Sequence, residues 1–272
     1  MTALDLDGTT LRPDKSLSEA VRSALLQASR RGVHVVVTTG RVFSAAPEEL
    51  KHMEGLEYMI NSNGAVVTRL KDRKILRLSL LDPGTVDELT VFLRGKDLDV
   101  EVFTEGNAYM NESSYRKLEE GRAEYRSEVS RQYVLQTRKP TEDILALLHG
   151  KRERIENISL NFSDMEQREE MFRFLGKRDD VTLTSSVWYN MEIGGRGTSK
   201  ASALQYLMGL LGVKPEELMA CGDSMNDARM IQLAGIGVAM ENGCDEIKNM
   251  ADYVTDSNAE DGVAKAFQRF VL

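Results

Sequence analysis

Three short apolar runs, far apart in the chain, each end abruptly on polar residues, and this recurrence constrains the fold more than any other feature. Thr2-Ala3-Leu4 leads into Asp5-Leu6-Asp7-Gly8-Thr9, the run 33–37 into Thr38-Thr39-Gly40-Arg41, and Leu218-Met219-Ala220-Cys221 into Gly222-Asp223-Ser224-Met225-Asn226-Asp227. A β-branched, almost wholly apolar run suits a parallel strand covered on both faces. Helical periodicity between such runs is the crossover pattern of a parallel sheet. Ser16-Leu17-Ser18-Glu19 has the form of a helix capping box, Val21, Leu25 and Ala28 follow at helical spacing, and Gly32 is placed as a stop. A helix is expected over 226–234 and a strand over 236–240. With the flanking portions in one sheet, the three polar ends converge at its carboxyl edge, where open α/β sheets place ligands.

Between Asp82 and Val187 the texture changes. Charge density rises, as over 116–131, and the alternation at Val100, Val102 and Phe103 reads as strands of a more mixed sheet. The expected architecture is α/β: a Rossmann-like parallel-sheet core over 1–81 and 188–272, and an inserted α+β domain over 82–187. Asp82-Pro83-Gly84 marks the departure, and the return is placed near Trp188.

Composition narrows the function. Thirty-five basic against 43 acidic residues give a net charge of −8 without a dense basic run, which argues against nucleic acid as a partner. No apolar run approaches the roughly 18 residues a bilayer span needs, and the start lacks a basic segment leading into an apolar one. A cytoplasmic protein without a membrane partner is expected, with a monomer as the default. Cys221 and Cys244 form no CxxC pair and read as reduced, packed thiols. His34, His52 and His149 have no zinc-ligand spacing.

The converging residues carry the chemistry. Asp-x-Asp-Gly-Thr alone also has the composition of a simple turn, but adding Asp223 and Asp227 puts four carboxylates at one sheet edge. Each close pair would repel by about 4 kcal/mol at an effective dielectric near 20. A divalent cation relieves this, and all-oxygen ligation suits Mg²⁺. Beside a metal-neutralised phosphate, Asp5 is the candidate nucleophile for an acyl phosphate. Asp7 is the candidate that protonates the leaving alkoxide and then deprotonates water. Thr39 through hydroxyl and amide, the amides of the Asp7-Gly8 turn, and Lys200 at the start of a helix in Gly197-Thr198-Ser199-Lys200 are candidate donors to the phosphoryl oxygens.

In this order and spacing, Asp5-Leu6-Asp7-Gly8-Thr9, Thr39-Gly40-Arg41, Lys200 and 222–227 resemble the four signature motifs of the haloacid dehalogenase superfamily. The chain is similar to its Cof-type phosphatases, which carry a large type IIB cap. The likeness runs nearly end to end through Asn63-Gly64-Ala65, 237–240, 251–255 and 260–263. The resemblance implies Asp5 as nucleophile and metal ligand, Asp7 as acid and base with its carbonyl on Mg²⁺, Asp223 as a third metal ligand, and Asp227 supporting the metal site. It implies Thr39, Lys200 and Asn226 as phosphate binders, among the motif positions Gly8, Gly40, Arg41 and Asn63. It makes 82–187 a cap that closes over the core and selects the substrate.

The implied activity is Mg²⁺-dependent hydrolysis of a small phosphorylated metabolite, among sugar phosphates, flavin mononucleotide or pyridoxal phosphate. Trp188, Tyr189, Glu105, Asn107 and Asn161 are cap candidates for substrate contact, the two aromatics reading more readily as packing at a domain junction. The alternative is a phosphomutase using the same aspartyl phosphate. A phosphoacceptor signalling module would need neither Asp7 nor a cap, and a dinucleotide-dependent oxidoreductase would need a glycine-rich turn after the first strand. Departures from the pattern are Thr10 for Leu, Ala201 for Gly and Glu241 for Gly. Only four residues precede Asp5, so either the first strand is short or the chain starts a few residues upstream.

Overall fold

In the computed structural model, which describes residues 1–122 and 126–272, the chain begins with β1 (Thr2–Asp5), α1 (Glu19–Arg30), β2 (Val35–Thr38), α2 (Glu48–Lys51), β3 (Leu56–Asn61), β4 (Val66–Arg69) and β5 (Lys74–Leu78). Next come α3 (Pro83–Leu93), β6 (Asp99–Thr104), β7 (Asn107–Asn111), α4 (Glu112–Glu119), α5 (Glu128–Thr137), β8 (Arg138–Thr141), α6 (Ile144–Gly150), β9 (Ile155–Asn161), α7 (Met165–Leu175), β10 (Val181–Thr184) and β11 (Asn190–Gly195). It closes with α8 (Lys200–Leu211), β12 (Met219–Gly222), α9 (Ala228–Leu233), β13 (Ile236–Met240), α10 (Asp245–Met250), β14 (Tyr253–Thr255) and α11 (Gly262–Phe270). One unit comprises Met1–Gly40, Ala46–Leu78 and Ser199–Leu272; the other comprises Arg41–Ala45 and Ser79–Thr198. The fold is α/β.

The first unit holds a sheet ordered β14-β13-β12-β1-β2-β3-β4-β5, parallel except for β4, which runs antiparallel to both β3 and β5. The three apolar runs are its centre: Leu4 lies opposite Val37 on one side and Cys221 on the other. Strand order reverses at β1, one crossover leading to β2 and another from β12 to β13. Right-handed crossovers then place α1 and α9 on opposite faces. Ala203, Leu204 and Leu207 of α8 pack with Ala3, Val36, Ile60 and Ala220, each fully buried leucine contributing roughly 1.5–3 kcal/mol. Cys221 is buried and unpaired, and burial pushes its thiol up to about 12.

Two local expectations are corrected. The cap of α1 is Ser18, whose side chain accepts from Val21 N at 3.1 Å; the Ser16–Glu19 box does not form. Asp14 instead takes the amide and hydroxyl of Ser16, at 3.0 and 2.6 Å. The helix expected from 226 starts as a 3₁₀ turn over Met225–Asp227, with α9 following, because the Asp227 carboxylate folds back onto the amides of Asp223 and Ser224.

The second unit holds a sheet ordered β10-β11-β9-β6-β7-β8, antiparallel except for the β7–β8 pair. One face is apolar: Val102, Ile158, Leu160 and Ile193 pack with residues of α3, α6 and α7. On the other face lies buried Glu101, which accepts from Arg126 and Arg138 at 2.7 Å each and from Asn161 Nδ2 at 3.1 Å. Burial pushes the Glu101 carboxyl up, but Arg138 and Arg126 outweigh it and hold it below the usual range.

This unit extends past the return expected at 188. β11 pairs with both β9 and β10, so Asn190–Gly195 belong to this sheet and the unit runs to Thr198. The two connections are tied together where they enter and leave, Ser79 Oγ lying 2.6 Å from Thr198 Oγ1. The charge-dense stretch 116–131 runs through α4 and α5, and its residues 123–125 lie outside the described residues. Trp188 is exposed, Tyr189 is buried, Glu105 pairs with Lys151 and Arg154, and Asn107 accepts from Lys139. Among the described residues no helix is long and apolar enough to cross a membrane.

Candidate active site

Asp5 is the last residue of β1, beside Thr38 of β2, and the chain leaves the strand sharply after it. Leu6 O accepts from both Thr10 N and Leu11 N, and Gly8 sits at φ +83°, a left-handed conformation that glycine adopts without steric cost. The bend separates two carboxylates that a continuous strand would hold on one side: Asp5 is buried, while the Asp7 side chain is 38% exposed. Thr10, the departure from Leu, is engaged in the turn through a hydroxyl bond to Asp5 O.

Gly8 also makes room. A Cβ there would overlap the Asp223 carboxylate, which Thr9 Oγ1 holds from the same turn at 2.7 Å. Asp223 follows β12 directly, as Asp5 ends β1, so adjacent parallel strands deliver the two carboxylates to one edge.

Lys200 opens α8, capped by Ser199, whose Oγ accepts from Ser202 N at 3.1 Å. Its side chain is buried, and Nζ bridges Asp5 Oδ1 at 2.5 Å and Asp227 Oδ1 at 2.6 Å. Burial alone would depress the ammonium; Asp227 and Asp5 outweigh it and hold it above the ordinary lysine value. Asp227 is fully buried, and its second oxygen accepts from Asp223 N and Ser224 N, both at 3.1 Å.

Asp5, Asp223 and Asp227 each bring one carboxylate oxygen within 4.8 Å of the others. Lys200 counters only part of that charge. Burial, with Asp227 and Asp223 adding repulsion, holds Asp5 well above the usual carboxylate range against the pull of Lys200. Burial and Asp227 push Asp223 up to about 6. An all-oxygen cluster with surplus negative charge fits a hard divalent cation.

The β2 side is partly corrected. Thr39 is buried, and its amide donates to Ile60 O at 2.8 Å, so that expected donor is already engaged. Thr39 O accepts from Asn63 N at 3.1 Å. Asn63 is left-handed, at φ 54° and ψ 30°, and its Oδ1 accepts from Asn226 Nδ2 at 3.2 Å. Its buried Nδ2 has no hydrogen-bond partner among the described residues.

Asp5, Asp7, Gly8, Thr39, Gly40, Asn63, Lys200, Asp223, Asn226 and Asp227 all lie in the first unit. Arg41 belongs to the second, where its guanidinium donates to Ala45 O at 3.1 Å and stacks 4.3 Å from the Tyr133 ring centroid. Sequence reasoning gave no role to Thr9 or Ser199. Thr9 was visible as a hydroxyl beside a sharp Gly turn; Ser199 was visible as a helix cap.

A parallel sheet with carboxylates gathered about a buried lysine at its switch point is an arrangement suited to chemistry on a phosphoryl group. The chain belongs to the haloacid dehalogenase-like hydrolase family, whose profile matches residues 2–267, and it is a phosphatase of that family. It is 30% identical to the 5-amino-6-(5-phospho-D-ribitylamino)uracil phosphatase YcsE of Bacillus subtilis, over 100% of this chain and 96% of that protein. A solved haloacid dehalogenase-like hydrolase from B. subtilis superposes with a TM-score of 0.86 at 30% identity, covering 99% of both chains. A solved subclass IIB sugar phosphatase shares the fold, with a TM-score of 0.82 at 22% identity over 99% of this chain and 98% of that one.

Proposed function

We propose that this phosphatase is Mg²⁺-dependent and works through a covalent phosphoaspartate on Asp5. The observation that carries the reading is the surplus of buried carboxylates, Asp5, Asp223 and Asp227, around a single ammonium. Asp5, Asp223 and the Asp7 carbonyl would hold the ion. Both oxygens of Asp227 already accept from protein donors, which favours a supporting role for it. When bound, Mg²⁺ offsets phosphate charge so that an anionic nucleophile can approach.

The chain's own groups do the rest. A carboxylate oxygen of Asp5 attacks phosphorus as the bond to the substrate's ester oxygen breaks, and Asp7 gives that oxygen a proton. Water then attacks the phosphoaspartate, Asp7 takes its proton, and Asp5 is regenerated with release of inorganic phosphate. Lys200 keeps its charge throughout and orients Asp5. The buried Asn63 Nδ2, without a partner among the described residues, would donate to a phosphoryl oxygen, and the Thr39 side chain would line the same side.

A relative named for a ribityl phosphate supports sugar or polyol phosphates as the substrate class. Phosphate release from sugar phosphates, flavin mononucleotide and pyridoxal phosphate, with and without Mg²⁺, tests the reading. Turnover should need Mg²⁺ and vanish in Asp5→Asn. Metal-independent turnover that survives Asp5→Asn would sink it, and transfer to a second sugar hydroxyl would reveal a mutase.

A further inference from the structure

One cation near the site belongs to none of the residues assigned above. Lys15 Nζ lies 2.7 Å from Asp7 Oδ1, both side chains being about one-third exposed. Its backbone has φ 69°, a left-handed conformation that strains a side-chain-bearing residue and that a glycine would adopt without that cost.

The surrounding loop is fixed from several directions. Arg12 N donates to Ser16 O and Lys15 N to Arg12 O, at 2.9 and 2.8 Å. Asp14 holds the Ser16 amide. The C-terminal part of the same unit anchors the loop: Asn242 Nδ2 donates to Gly8 O at 2.8 Å, Asn258 Nδ2 to Leu11 O at 2.7 Å, and Arg12 pairs with Asp261 at 3.0 Å. A strained lysine presented to one carboxylate by a loop this firmly tied is an outlier that points to function.

We propose that Lys15 is a positioning residue for Asp7. It sets the direction of the Asp7 carboxyl, so that the proton Asp7 holds is aimed at the leaving oxygen in the first half of the reaction. This rests on the acid–base reading of Asp7. An exposed pair in water gains little stability, which fits a contribution to catalysis more than to folding.

The chemistry supplies a selective readout. An alkyl phosphate leaves as a poor alkoxide and needs protonation, whereas p-nitrophenyl phosphate leaves as a stabilised phenolate and needs little. Lys15→Met keeps a side chain in the same left-handed backbone and removes only the cation. We expect kcat on a sugar phosphate to fall about tenfold with KM unchanged, and kcat on p-nitrophenyl phosphate to fall less than about twofold. Lys15→Arg should restore much of the loss, and Lys15→Met should cost nothing further in an Asp7→Asn background.

Equal losses on both substrates, a rise in KM alone, or additivity with Asp7→Asn would overturn the assignment. So would an unaffected Lys15→Met beside a crippled Asp7→Asn, which leaves the acid–base reading standing. An Asp7→Asn chain as active as the parent would overturn that reading and the role of Lys15 together. Thermal melts of each variant exclude unfolding as the cause of a loss.

Discussion

Each unit buries an ionic cluster, and the two clusters sit in opposite states. In the second, one carboxylate, Glu101, is shared by Arg126, Arg138 and the Asn161 amide and is held below the usual range. In the first, one ammonium, Lys200, is shared by Asp5 and Asp227 with Asp223 close by, and Asp5 and Asp223 are held above it. Depth of burial is similar, so burial does not distinguish the roles. The balance of charge does: a carboxylate matched by cations is a structural fixture, while a surplus of carboxylates remains strained until a cation joins it.

Asp5→Asn breaks the comparison most severely. Phosphate release should fall by at least about 10³-fold, yet the melting temperature of the metal-free protein should not drop, because Lys200 keeps Asp227 while a repelling charge is lost. A marked loss of stability in calorimetry would show that the cluster is matched after all.

Glu101→Gln should do the reverse, costing about 3–5 kcal/mol in denaturant unfolding because two guanidiniums lose their buried counter-charge. A cost below about 1 kcal/mol would make the two clusters equivalent.

The pH dependence separates them by sign. With Asp223 pushed from 3.8 to about 6, the folded state favours the protonated acid. That stability is present below about pH 4 and lost as pH rises through about 6, amounting to roughly 3 kcal/mol at most. Glu101, held low, contributes stability present above the ordinary carboxylate range and lost as pH falls through its own lower value. Urea midpoints measured in chelator across this range should show both limbs. Asp223→Asn or saturating Mg²⁺ should flatten the neutral limb, and Glu101→Gln the acid limb.

Gly8→Ala is the mildest change. It adds left-handed strain of about 1–2 kcal/mol and pushes a methyl into the Asp223 carboxylate. Reduced Mg²⁺ affinity with a modest fall in melting temperature is expected; unchanged affinity would separate the Gly8 turn from the ion's site.

Much of this was legible in the residues. The apolar runs before Asp5, Thr38 and Gly222 became the neighbouring strands β1, β2 and β12, with β1 between the other two, and Lys200 opened a helix, because strand–turn–helix grammar is written over a few residues. The errors fell where competing partners decide. Ser18 rather than Ser16 caps α1 because Asp14 captures Ser16. The Thr39 amide is engaged by Ile60 O, a residue on the next strand. The inserted unit runs to 198 because β11 finds β9 and β10, a pairing that no local turn signal marks.

The sequence by itself determined the kind of sheet, the carboxylates at its edge and their order, since these depend on local periodicity and on which residues follow each strand. Only the tertiary structure decided that Lys200 lies between Asp5 and Asp227, that Asp227 has both oxygens engaged, and that Lys15 faces Asp7. Those facts depend on separations of a few ångströms between side chains, set by strand order and loop anchoring, and charge effects at that range are decided by distance and burial rather than by position along the chain.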